Sequence, residues 1–237
     1  MLNRLNAALL AEAVGTFLFF FVGAGSVVLA AHAGANGPGL VGIALAHGLA
    51  LAVLVSAFGA VSGGHFNPAV TVAVRLAGRI EWSHAVAYIV AQLVGAAAAG
   101  YALAVVMPDP AAGDSLLGTP TLGEGIDVMA GIAIEVVLTL LLVLTVFGTA
   151  IDARAPKIGG LAIGLAVAAD ILMGGPLTGA AMNPARWFGP ALAIGHWDNW
   201  YVWWIGPLIG AIVGAVLFRY GFEGEADADV TPATPEG

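Results

Sequence analysis

The tripeptide Asn-Pro-Ala occurs twice, as Asn67-Pro68-Ala69 and Asn183-Pro184-Ala185. Each copy opens an apolar stretch, 67–77 and 183–194, that is too short to cross a membrane. About eleven helical residues span only ~17 Å, against ~30 Å of hydrocarbon in a bilayer. The flanks correspond too: Gly63-Gly64-His65-Phe66 precedes the first motif and Gly179-Ala180-Ala181-Met182 the second, 116 residues on. At the same offset Gly48 falls on Gly164, and at 115 Leu93-Val94-Gly95-Ala96 falls on Leu208-Ile209-Gly210-Ala211. Glu12-x-x-x-Thr16 recurs as Glu135-x-x-x-Thr139 at offset 123.

Six further stretches are long enough to span: about 7–31, 40–61, 84–106, 128–151, 158–174 and 200–222. The first is too long for the apolar region of a secretory signal, and a single Arg precedes it, so it reads as a retained helix. Each repeat thus holds three spans and one half-span. Three is odd, so the second copy enters the membrane upside down. Inverted repeats of this kind place their working site near the midplane, where the repeats meet. The expected fold is an all-α membrane protein with six transmembrane helices and two re-entrant half-helices. It forms one channel-sized domain over 1–222, with repeats at about 5–106 and 128–222. An acidic, disordered tail follows at 223–237, with Glu223, Glu225, Asp227, Asp229 and Glu236.

Composition excludes most alternatives. Charged residues make up 9% of the 237, where a soluble domain carries roughly 25%, and mean hydropathy is +0.96. Without cysteine there is no disulfide framework, thiolate metal site or thiol catalysis. A single lysine, Lys157, and a net charge of -8 argue against nucleic acid. No Gly-Lys-Ser/Thr loop for ATP is present, nor any hydrolase-like constellation. Neither an enzyme nor a bound cofactor or metal is expected. Arg4, Arg75, Arg79, Arg154, Lys157 and Arg219 fall on one side, and the connections 32–39, 107–127 and 195–199 hold no Lys or Arg. The positive-inside rule then puts both termini in the cytoplasm.

Asn before Pro is a helix start: the Asn side-chain oxygen accepts a free backbone N–H, and Pro suits the first helical position. The Asn NH2 is then left as two donors pointing away from the helix. Irregular backbone at mid-membrane must be buried in protein or line a water-filled cavity. Two helix N-termini, each with roughly half a positive charge, face one another there. A water between Asn67 and Asn183 accepts from both, so its own hydrogens point along the pore and proton relay stops; the dipoles oppose cations.

Arg186, three residues past Asn183, sits ~4.5 Å from the midplane. A charge there costs at least roughly 2.5–3.5 kcal/mol against lipid, so it faces a cavity. Counting along their spans brings His47 and Ile171 to about the same height, and Ala180 brings the loop backbone near. Together these form the expected constriction. His47 has an ordinary pKa of about 6.5, so acid pH is expected to add charge to the ring and slow conduction. Glu12 and Glu135 either carry protons, as in a proton-coupled transporter that would also use Asp170, or accept N–H groups of the two loops; their symmetry favours acceptors. His65 is expected to place backbone carbonyls along the inner pore.

Two stretches, Ser62-Gly63-Gly64-His65-Phe66-Asn67-Pro68-Ala69-Val70-Thr71 and Met182-Asn183-Pro184-Ala185-Arg186-Trp187-Phe188-Gly189-Pro190, resemble the major intrinsic proteins, the aquaporins and glycerol facilitators, over about residues 5–222. The resemblance implies an aquaporin-like fold, a pore in each protomer and a homotetramer. It also implies that His47, Ile171, Ala180 and Arg186 are the selectivity-filter positions. Trp187 and Ala191 stand where facilitators usually have Asp and a basic residue, and Trp203-Trp204 match an aromatic pair of water channels. With Ile171-Leu172-x-Gly174-Gly175-Pro176, the filter looks like that of plant tonoplast intrinsic proteins. Water is then the expected cargo, with ammonia, hydrogen peroxide or urea beside it. The Ala/Gly richness and acidic tail suggest a prokaryotic plasma membrane.

Overall fold

The described residues of the computed structural model are 2–107, 113–156 and 158–223. Lys157 and the acidic tail beyond Glu223 lie outside them. The spanning helices are α1 (Arg4–Ala33), α2 (Gly39–Ser62), α4 (Trp82–Val106), α5 (Val128–Val146), α6 (Gly159–Thr178) and α8 (Val202–Leu217). A π-helical turn continues α5 to Ile151, and another continues α8 to Phe222. Between them lie the two half-helices, α3 (Pro68–Leu76) and α7 (Pro184–Ile194).

These bounds follow the sequence reading closely, with one correction. The fifth span was expected to stop at 174, before Gly175-Pro176, yet α6 runs on to Thr178 with Pro176 inside its last turn. Proline there forfeits one backbone bond. The helix ends instead at Gly179, in the left-handed region at φ 74°, whose N–H returns to the Gly175 carbonyl.

Each repeat is a triplet, α1 with α2 and α4, and α5 with α6 and α8; the triplets meet along α2 and α6. Small residues let the backbones approach, as membrane helices require. A Cβ on Gly164 would lie 2.2 Å from the Gly48 carbonyl oxygen, and one on Gly48 would lie 2.6 Å from that of Gly164. The repeat-related glycines Gly95 and Gly210 likewise meet the carbonyls of Ala13 and Val136. The outward faces carry exposed Val53, Val105 and Met129, side chains suited to lipid. At one end of the bundle Arg79 pairs with Glu223, Arg154 donates to the Phe222 carbonyl and Arg219 to that of Leu76. Arg79, Arg154 and Arg219 thus lie together at that end.

Candidate functional site

The half-helices meet N-terminus to N-terminus through their asparagines. Asn67 Oδ1 accepts from the N–H of Ala69 (2.8 Å) and, longer, of Val70 (3.4 Å); Asn183 Oδ1 accepts from Ala185 (3.0 Å) and Arg186 (3.4 Å). Each side-chain amide also crosses to the other loop. Asn67 Nδ2 donates to the Met182 carbonyl and Asn183 Nδ2 to that of Phe66, both at 2.9 Å. This corrects the expectation of two free donors on each Asn: one hydrogen clamps the loops together and one remains for the pore. Phe66 and Met182 turn their carbonyls to this task by adopting left-handed backbone, at φ 47° and 49°.

Glu12 and Glu135 brace the loops from behind. Glu12 Oε1 accepts from Ser62 Oγ (2.6 Å) and the His65 N–H (3.0 Å), while Oε2 accepts from the Phe66 N–H and Gln92 Nε2, each at 2.8 Å. Glu135 Oε1 accepts from Thr178 Oγ1 (2.7 Å) and the Ala181 N–H (2.9 Å), and Oε2 from the Met182 N–H (2.7 Å). Both carboxylates are fully buried, and neither lines the cavities described next. Asp170 is also buried and absent from those walls; among the described residues neither of its oxygens has a hydrogen-bond partner.

A cavity of about 840 Å3 runs from the end bearing Arg79 past His65 and both asparagines. A second, of about 200 Å3, opens beside Ser115 and Pro120. Their walls share three residues, His47, Ile171 and Arg186. Ala180 borders the larger cavity. Arg186 donates from Nε to His47 Nε2 (3.1 Å) and from Nη1 to the Gly118 carbonyl (2.7 Å). The other His47 nitrogen, Nδ1, faces the Ile43 carbonyl at 2.9 Å. A ring that accepts at Nε2 and meets a carbonyl at Nδ1 is neutral and carries its proton on Nδ1. The expected acid switch at His47 therefore has no free nitrogen to act on.

The trio His47, Ile171 and Arg186 has no mirror copy. The positions related to His47, Ile171 and Arg186 by the 116-residue offset are Ile163, Val55 and Val70, and these apolar residues line the wide cavity. His65 also lines that cavity, with Nδ1 3.0 Å from Thr71 Oγ1. Trp187 stacks on Trp203 (5.7 Å, 8°) inside the protein, and Trp203 Nε1 donates to the Thr178 carbonyl. Gly118, Gln92 and Thr178 escaped the sequence reading, and Ser62 entered it only as part of the first motif stretch, with no role assigned. The repeat could have found the role of Ser62 and Thr178, since they stand 116 apart and each bonds its own glutamate. Gly118 sits in a connection with no counterpart, and nothing in the sequence marks it.

Residues 3–218 match the family described as Major intrinsic protein. Similar proteins include "Probable aquaporin TIP3-2" of Arabidopsis thaliana, 46% identical over 229 residues, covering 90% of this chain and 82% of that one. "Aquaporin TIP4-4" of Zea mays is 44% identical over 217 residues, covering 89% and 84% respectively. In architecture the chain is similar to the crystal structure of the aquaglyceroporin from Plasmodium falciparum, at TM-score 0.80 and 22% identity over 92% of this chain and 96% of that one. With its paired half-helices and a family match along nearly its whole length, the chain belongs to the major intrinsic proteins.

Proposed function

We propose that the protein is a passive transmembrane channel for water and small neutral solutes, ammonia first, then hydrogen peroxide and urea, and that it excludes protons and ions. It is a channel and not an enzyme. The observation that carries this reading is the pair of cavities joined at His47, Ile171 and Arg186, with the two half-helix N-termini farther along the same passage. In the selectivity filter, His47 and Gly118 take two of the Arg186 N–H groups; the guanidinium is left with donors for a passing oxygen or nitrogen. Ile171 and Ala180 supply an apolar opposite side. Beyond the filter, Asn67 and Asn183 each keep one amide hydrogen for a solute at the midplane. A water accepting both points its hydrogens along the pore, which interrupts proton relay, and the half-helix dipoles repel cations.

Coupled transport through Glu12 or Glu135 is disfavoured because both face loop donors and not the passage. The channel domain spans 1–222, works as a homotetramer in the bilayer and keeps both termini in the cytoplasm. The prokaryotic plasma membrane expected from composition finds no support, since the relatives above are plant proteins.

The filter assignment is tested by His47→Phe with Ile171→His, which narrows the ring and adds a donor. Reconstituted in liposomes, the double variant keeps water flux within a few-fold and loses ammonia flux by at least about tenfold, a barrier rise of ~1.4 kcal/mol. Ammonia flux absent from the parent, or unchanged in the variant, refutes the assignment.

A further inference from the structure

The constriction touches three helices directly, but its geometry depends on a fourth, α1, that contributes no residue to the ring. A Cβ built on Gly23 would lie 2.5 Å from His47 Cδ2, 2.6 Å from Nε2 and 3.0 Å from Cγ. The imidazole therefore occupies the space that any other side chain at position 23 would need. One turn earlier on α1, Phe19 meets the same ring edge to face (6.1 Å, 86°). At the next residue the pattern continues: a Cβ on Gly118 would lie 2.6 Å from the Ala24 carbonyl oxygen. His47 Nε2 and the Gly118 carbonyl are the two acceptors that hold Arg186. Consecutive residues of α1 thus seat both of them.

We infer that Gly23 is a specificity-determining residue: by leaving a slot in α1 for the His47 imidazole, it sets how far that ring stands back from the passage and so how wide the filter is. The inference rests on the channel reading above and deepens it. Filling the slot leaves the ring one way to go. Its Nδ1 is anchored on its own helix at Ile43, Phe19 and α1 close one side, and the other side faces the two cavities. On its opposite face, two residues on, α1 is backed by α4: a Cβ on Gly25 would lie 3.1 Å from Met107 Cε and 3.2 Å from Leu103 Cδ2. The side chain yields before the backbone does. A displaced imidazole enters the narrowest point and gives up its bond to Arg186 Nε, and the loss falls hardest on solutes larger than water.

The test is a cycle of Gly23→Ala, His47→Ala and the double variant in proteoliposomes, with water and urea permeabilities read on the same vesicles and assembly checked by size-exclusion chromatography. Gly23→Ala is expected to lower the urea-to-water permeability ratio by at least about tenfold relative to the parent. In the His47→Ala background, where there is no ring to displace, the same change leaves the ratio within about twofold. A parent that passes no water sinks the channel reading itself; a parent that passes water but no urea calls for ammonia as the second solute in the same cycle. A folded Gly23→Ala protein with the parental ratio overturns the inference, as does an equal loss in both backgrounds. If Gly23→Ala alone fails to assemble, recovery of assembly in the double variant supports the slot, and failure of both overturns it.

Discussion

Replacing each buried glutamate by glutamine separates a loop brace from a proton carrier, and the bonding pattern sets the order of the damage. Glutamine keeps the shape but offers one oxygen where glutamate offers two. At Glu12 the best placement keeps one donor pair and turns an NH2 group towards the other two donors, either Ser62 Oγ and the His65 N–H or the Phe66 N–H and Gln92 Nε2. Two buried donors lose their acceptor, at about 1–3 kcal/mol each, or about 2–6 kcal/mol in all. At Glu135 the oxygen can stay with Thr178 Oγ1 and the Ala181 N–H, so only the Met182 N–H is stranded, at about 1–3 kcal/mol. Glu12→Gln is therefore the more destabilising of the two, although the residues occupy equivalent places in the repeats. Thermal unfolding of the detergent-solubilised protein, read beside water flux per assembled channel, checks this. Both variants lower the unfolding temperature in that order, and the assembled fraction still conducts. Unchanged stability with loss of a proton-driven flux would refute the brace and favour a coupled transporter.

Two further outcomes follow from the filter and the composition. Water flux stays flat between about pH 5.5 and 7.5, around the ordinary His pKa, because both His47 nitrogens are engaged; a steep loss on acidification, in stopped-flow runs at matched osmolarity, contradicts this. With no cysteine in the chain, mercurials at concentrations that leave the bilayer intact do not inhibit, and specific block at low concentration would be the contrary result.

The repeat makes much of this legible in the sequence. Two Asn-Pro-Ala motifs in mirrored settings lead directly to two half-helices, and the paired glutamates lead to two braces. Height along a helix was enough to bring Arg186, His47 and Ile171 together, because a membrane span is a straight ruler of known rise. What stayed hidden depends on backbone direction and on contacts between distant segments. The crossed bonds from Asn67 and Asn183 need the left-handed turns at Met182 and Phe66, a conformation that neither residue type advertises. Gly118 reaches Arg186 from a connecting segment outside the repeat. Gly23 reads as one more small residue in an apolar helix until the His47 ring is seen against it. Trp187, anomalous in the motif, turns out to be buried core, stacked on Trp203.

The central claim is that the passage conducts water and stops protons at the asparagine pair. Stopped-flow shrinkage of proteoliposomes, with a pH-sensitive dye sealed in the same vesicles, tests both halves at once. The account predicts water flux well above that of empty liposomes, with a low activation energy and no need of a counter-gradient, while the dye responds no faster than in control lipid. Water flux equal to that of empty vesicles, or rapid proton entry accompanying fast water flux, would contradict it.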